Sequence, residues 1–210
     1  MTICSSRLPA GCAERWAARL AACLAGALLL AGMPPRVAAQ RRVLPDASLY
    51  KLHAAWTAYD GRTIDLSSLR GETVVLAMVY TSCTMTCPLI TSEMQSLQRA
   101  LPSDVRPHVR FVLASFDPER DSIAALKAHA VAMSLDDRWL VLRASPADVR
   151  QLAVLLGVRY RRLPGGDFDH SNIISVLDAG GVLRHQSPRI PADRAALVRA
   201  VTEAARTPGS

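Results

Sequence analysis

The sequence predicts an α/β domain, a three-layer sandwich in which a central mixed β-sheet is flanked by helices. Three observations carry this expectation. Val74 to Tyr80 is a near-continuous apolar run, as a strand buried on both faces should be. Further apolar strands alternate with amphipathic helix patterns, and a strand, a Gly-Gly turn and a second strand precede a C-terminal helix. Half of the 210 residues are hydrophobic, enough for a substantial core, which excludes global disorder.

In chain order, Trp56 to Asp60 followed by Gly61 reads as an opening strand and turn. After the Val74 to Tyr80 strand come Thr81, Ser82 and Cys83, then a helical pattern in which Ile90, Met94, Leu97 and Leu101 share one face. Val109 to Phe116 is a second buried strand, and Asp121 or Ser122 caps a helix over Ile123 to Met133. Trp139 to Leu142 is a third strand. Ser145-Pro146-Ala147-Asp148 opens the next helix with a cap, a proline at the first position and an acid in the first turn. Ile173 to Leu177 and Val182 to Gln186 pair across the turn at Asp178 to Gly181, and Pro191 to Arg206 closes the chain as a helix. A thioredoxin-like sandwich fits this order. No linker, repeat or low-complexity stretch interrupts residues 40–210, so a single domain is expected there.

The first 39 residues read as an export signal. Arg7, Arg15 and Arg19 precede an apolar run from Leu20 to Met33, and Val37-Ala38-Ala39 offers small residues for cleavage before Gln40. The run of about 14 residues falls short of the roughly 20 that span a bilayer. Cleavage is therefore expected, with retention as an N-terminal membrane anchor the alternative. Leu20-Ala21-Ala22-Cys23 spells a lipoprotein-type box, but its apolar residues follow the cysteine instead of preceding it. The expected location is the periplasm or the outer face of the cytoplasmic membrane.

Export changes the charge and the cysteine count. Removing four Arg and one Glu with residues 1–39 leaves 21 basic against 17 acidic side chains, a mild net +4. Only 5% of residues are aromatic, so the stacking platforms of single-strand nucleic-acid binders are poorly supplied, and no nucleic-acid partner is expected. Of five cysteines, only Cys83 and Cys87 remain.

Cys83-Thr84-Met85-Thr86-Cys87 stands at the strand-to-helix turn. If the segment is helical, the two sulfurs lie four apart on one face and can close on one ion. A helix N-terminus also lowers thiol pKa values, which serves metal binding and redox reactivity alike. Spacing alone leaves three readings open: a soft-metal site, a thiol–disulfide exchange pair, and a structural disulfide. Among the histidines, His129 falls inside a helix pattern, His108 beside a proline in a loop, His53 before the first strand and His185 at an edge, where solvated side chains are the ordinary outcome. His170 differs, because its loop, Gly165 to Ser171, enters an apolar strand, and strand ends frame sites in α/β sheets.

Asp60-Gly61-Arg62 through Gly71, Tyr80-Thr81-Ser82-Cys83-Thr84-Met85-Thr86-Cys87-Pro88, Phe116-Asp117-Pro118-Glu119-Arg120-Asp121 and Asp169-His170-Ser171, in that order, resemble the SCO/SenC family of copper chaperones. The resemblance covers about residue 50 to the end. It implies a thioredoxin-like fold and copper held by Cys83, Cys87 and His170. It further implies an exported metallochaperone more than an enzyme, with thiol–disulfide reductase activity left open, that delivers copper to the copper-accepting subunit of a respiratory cytochrome oxidase or keeps that centre's cysteines reduced. Because both sulfurs must be reduced to bind, an oxidising compartment implies a periplasmic thiol reductant as a further partner, with another copper chaperone an additional candidate. The chain departs from the family where Thr84 and Met85 replace the frequent Pro and Asp. Losing that carboxylate favours Cu(I) over Cu(II), since thiolates and thioethers are soft. Met85 offers a soft thioether to the metal, although a methionine at a turn is expected first to serve packing; the Asp117 to Asp121 segment either lines the site or, as is expected of Asp117 and Asp121, braces loops and caps the next helix.

The alternative is a thiol–disulfide oxidoreductase or redox sensor in which Cys83 attacks and Cys87 resolves. A peroxiredoxin reading lacks the Pro-x-x-x-Thr-x-x-Cys arrangement before Cys83.

Overall fold

The computed structural model of the chain describes residues 45–207. The expected export segment, residues 1–39, and the expected cleavage before Gln40 lie outside the described residues. Among the described residues no helix is long and apolar enough to cross a membrane.

The opening strand β1 (Trp56–Ala58) turns at Gly61, whose φ of +86° suits glycine, and pairs antiparallel with a short strand β2 (Thr63–Ile64). A 3-10 helix (Leu66–Leu69), capped by Asp65, leads into β3 (Thr73–Val79). All seven residues of β3 are buried, because helices and strands cover both of its faces. Helix α1 (Thr86–Ala100) follows and buries Ile90, Met94 and Leu97, the face the helical period predicts. Strand β4 (Val109–Ser115) runs parallel to β3, helix α2 (Ile123–Ala132) is capped by Ser122, and β5 (Trp139–Arg143) runs parallel to β4. Ser145 accepts from the Asp148 N–H to start α3 (Pro146–Leu155).

The next element is one the sequence reading lacked. Strands β6 (Tyr160–Arg162) and β7 (Phe168–His170) form a separate two-stranded antiparallel hairpin, with Tyr160 opposite His170. His170, expected in a loop, is the last residue of β7. The short alternation of Phe168, Asp169 and His170 gave too little apolar signal to be read as a strand. The chain then returns to the main sheet with β8 (Ile174–Leu177), turns at Asp178 to Gly181, and runs back as the edge strand β9 (Leu183–Ser187). Helix α4 (Arg194–Arg206) begins at its Asp193 cap, three residues later than Pro191 suggested.

The seven strands lie in the order β2-β1-β5-β4-β3-β8-β9, a mixed sheet as expected. Its parallel centre, β3-β4-β5, places the carboxyl ends of β3 and β4 side by side, and there the predicted site residues meet. Behind the opposite end, Gly181 (φ +77°) admits the Tyr50 ring so closely that an added Cβ would stand 2.6 Å from it.

Candidate metal centre

Beyond Val79, Tyr80 stays buried and the chain curls through residues 81–85 before α1 begins. Cys83 thus sits in the curl and only Cys87 in the first helical turn, so the helical condition for placing both sulfurs on one face is not met. The curl brings the sulfurs together by other means. The Cys83 N–H donates to the Tyr80 carbonyl at 3.3 Å, and the Cys87 N–H donates to Cys83 Sγ at 3.4 Å. Both thiols are free. Cys87 is wholly buried, with its Sγ accepting from the Tyr80 N–H at 3.5 Å, while Cys83 is partly exposed.

These surroundings separate the two thiols. Partial burial opposes ionisation of Cys83, but donors converge on its sulfur: the Cys87 N–H, the Thr86 hydroxyl, the Met85 N–H and the Cys87 thiol. Together they bring its pKa down to about 6. Burial pushes the Cys87 thiol far up, the Tyr80 N–H opposes this in part, and the nearby Cys83 charge adds to it. Tyr80 lies against the same sulfur. Its phenol is raised to about 12, first by burial and then by its hydrogen bond with Cys83.

The hairpin supplies the third group. His170 packs edge-on against Tyr80, with ring centroids 5.9 Å apart, and in a tilted arrangement against Phe116 at 5.1 Å. Phe168 and Tyr160 extend that aromatic cluster, at 5.1 Å from Tyr80 and Phe116 respectively. His170 Nδ1 lies 3.2 Å from the Ser171 carbonyl, which can only accept. Nδ1 is therefore assigned the ring proton, leaving the Nε2 lone pair free to point inward. Nε2 lies 3.3 Å from Thr86 Oγ1, which in turn lies 3.5 Å from Cys83 Sγ. The donor atoms of Cys83, Cys87 and His170 all lie within 4.8 Å of one another, and among the described residues they are the only group of three such side chains able to hold a metal ion.

The Asp117 to Asp121 segment braces this arrangement, as expected of it. Buried Asp121 accepts from the Thr81 N–H (3.1 Å), the Thr81 hydroxyl (2.5 Å) and the Ser115 hydroxyl (2.5 Å), tying the cysteine curl to the end of β4. The cap of α2 is Ser122, not Asp121. Asp117, also buried, pairs with Arg120 and, at 2.8 Å, with Arg162 of the hairpin. Arg162 also lies over the Phe168 ring, 5.3 Å from its centroid. Met85 departs from expectation: it is 76% exposed and fills no core space. His53 is exposed, while His129 and His185 are half-buried away from the centre. Thr86 and Tyr80 were not singled out from the sequence. Only the placement of Thr86 three residues after Cys83 hinted at its role, and the interior-facing end of an apolar strand gave no hint for Tyr80. Beside His170 an open cleft of about 710 Å³ runs along Arg159, Arg161, Asp169 and Asn172.

A thioredoxin-like sandwich carrying two cysteines and a histidine at one strand-to-helix edge defines a class of thiol proteins suited to soft metals or dithiol exchange. The chain belongs to the SCO1/SenC family, whose family model matches residues 50–206. It is 33% identical to the SCO1 protein homolog of Bacillus subtilis (strain 168) over 97 residues, 45% of this chain and 50% of that protein. The chain spans about half the length of the curated relatives it matches. Its fold is that of Bradyrhizobium japonicum ScoI, solved with copper bound (TM-score 0.62, 22% identity, covering 72% of this chain and 96% of that one). It is also that of BsSco, a Sco-family cytochrome c oxidase assembly protein with a disulfide switch (TM-score 0.64, 24% identity, covering 72% and 91%).

Proposed function

We propose that this chain is an exported copper chaperone that carries Cu(I) on Cys83, Cys87 and His170 and delivers it to the copper-accepting subunit of a respiratory cytochrome oxidase. The observation that carries this reading is the convergence of two sulfurs and one imidazole nitrogen within 4.8 Å. The donor set fits the ion. Thiolate sulfur is soft and selects Cu(I), imidazole accepts either oxidation state, and a closed structural zinc site would want a fourth ligand. Three strong ligands at a partly exposed edge suit cargo, because an acceptor can displace them one at a time. Support for the oxidase as destination comes from family membership and from the assembly role named for BsSco. Residues 1–39 supply the export signal or a retained anchor, and residues 40–210 the copper-carrying domain.

A second reading has its own observation. Cys83, partly exposed with its pKa near 6, and Cys87, buried and held protonated, divide the roles of attacking and resolving thiol. In an oxidising compartment a thiol reductant is needed in either case, since a Cys83–Cys87 disulfide would remove both sulfurs from the ion.

An anaerobic Cu(I) titration of the reduced full chain against a competing chelator separates the two. One tightly held ion, weakened by about tenfold or more in both His170→Ala and Cys83→Ala, is the expected result. Weak binding, or binding indifferent to His170→Ala, would overturn the chaperone reading and leave dithiol exchange, which does not need the imidazole.

A further inference from the structure

We infer that the Met85 thioether is a handover ligand of the Cys83–Cys87–His170 centre, the first group to meet an arriving Cu(I) ion and the last to release it. The inference rests on the copper reading above and concerns the route by which the ion enters and leaves.

Packing does not account for Met85. Met78 and Met94 are core residues with about 1% or less of their surface exposed, and Met133 is half-buried. Met85 is 76% exposed, the one fully solvent-facing thioether among the described residues. Burial stabilises such a side chain, so a methionine kept for core filling would not stand in water. Helix stability does not account for it either. Met85 is the N-cap of α1 and makes no side-chain capping bond, whereas Ser122, Ser145 and Asp193 cap the other three helices through their oxygens. An oxygen-bearing residue there would cap the helix, a stabilisation that methionine forgoes.

Its position gives it a different use. The Met85 backbone N–H is turned onto Cys83 Sγ, which roots the side chain beside the more accessible thiol. From that root an unbranched, flexible arm carries a soft sulfur. Cys87 is buried and Cys83 partly exposed, so the accessible sulfur of the centre is Cys83, two residues from the exposed Met85. A thioether binds Cu(I) without losing a proton and cannot be drawn into a disulfide, and as a neutral donor it holds the ion weakly. These properties suit a transient ligand. The step is a plain ligand exchange. The Sδ lone pair bonds to the ion, a Cys83 or His170 bond forms or breaks as Sδ leaves or joins, and copper keeps its oxidation state throughout.

Leu89, one helical turn on and 55% exposed, makes a purely apolar docking lip the competing account of Met85, and Met85→Leu separates the two because it keeps the apolar arm and removes the sulfur. The reduced full chain, labelled with carbon-13 in its methionine methyl groups, is titrated anaerobically with Ag(I), a redox-silent stand-in for Cu(I). The Met85 methyl signal, identified by its loss in Met85→Leu, should move with the first equivalent while those of Met78 and Met94 stay in place. In a parallel stopped-flow measurement, Met85→Leu should slow Cu(I) release to a phenanthroline-type chelator by about tenfold while changing equilibrium affinity by less than about threefold. A Met85 methyl that stays still while Ag(I) binds tightly, or wild-type release from Met85→Leu, would overturn the inference and leave the copper reading standing. Failure of the wild-type chain to bind Ag(I) or Cu(I), with Cys83 still reactive as a free thiol, would overturn both.

Discussion

The Thr86 hydroxyl lies 3.3 Å from His170 Nε2 and, on its other side, 3.5 Å from Cys83 Sγ. With Nδ1 protonated toward the Ser171 carbonyl and Cys83 ionised, both neighbours present lone pairs to a group that owns one proton. Thr86 can satisfy only one of them at a time. The centre without an ion is therefore over-supplied with electron pairs, which a cation between sulfur and nitrogen would relieve.

Thr86→Val keeps the side-chain shape and removes that proton. The Cys83 thiol should then titrate above its present value of about 6, and its alkylation by iodoacetamide at pH 6 should slow by several-fold, while Thr86→Ser restores both. Mass-spectrometric mapping of the alkylated cysteine checks this, and an unchanged rate in Thr86→Val would remove Thr86 from the centre.

The two thiols should titrate far apart. In the reduced chain Cys83 should alkylate with a midpoint near pH 6, whereas Cys87, raised by burial, should resist until the solution is strongly alkaline or the chain unfolds. The lowered pKa also carries a sign for stability. Relative to an unfolded value of about 8.5, the contribution of the Cys83 thiolate is fully present above that value and is lost as pH falls through about 6. The difference in unfolding free energy between wild type and Cys83→Ser should accordingly shrink from pH 9 to pH 5, as urea titrations at both pH values would record.

Asp121→Asn replaces an acceptor-only group that collects the Thr81 N–H, the Thr81 hydroxyl and the Ser115 hydroxyl inside the protein. The amide loses the charge that strengthens those bonds and turns a donor toward other donors. A loss of about 2–3 kcal/mol is expected in urea unfolding. A variant as stable as wild type would show that the brace is not needed.

Gly181→Ala forces a methyl group against the Tyr50 ring at a backbone conformation that alanine avoids. It should destabilise the fold by about 1–3 kcal/mol, read as a lowered Tm, with metal affinity unaffected because the site lies at the other end of the sheet.

Much of this architecture was legible because it rests on period and burial. Val74 to Tyr80 could only be a covered strand, and Ile90, Met94, Leu97 and Leu101 marked one helix face that the structure buries. The cap at Ser145 was readable because the hydroxyl, the proline and the acid act locally. The β6-β7 hairpin was not, since its strands are three residues each and hold together through Tyr160 and Phe168 packing on Tyr80 and Phe116, contacts distant in sequence. For the same reason Cys83, Cys87 and His170 could be gathered from family resemblance, while Thr86 between them could not. Its hydroxyl matters only once the hairpin has brought His170 into place. Met85 stands exposed where packing was the first expectation, because burial, the typical fate of a methionine, is a statistical tendency that one exposed turn can override.

The cysteine curl belongs to two consecutive elements, β3 and α1, whereas His170 arrives 84 residues after Thr86 on a hairpin outside the main sheet. Local contacts form early in folding and distant ones late, as loop-closure entropy requires. An ion meeting a half-folded chain would thus find two thiols and no imidazole. Full metal-holding capacity would come only with the last docking event, so a chain able to carry its cargo would also be one that has finished folding.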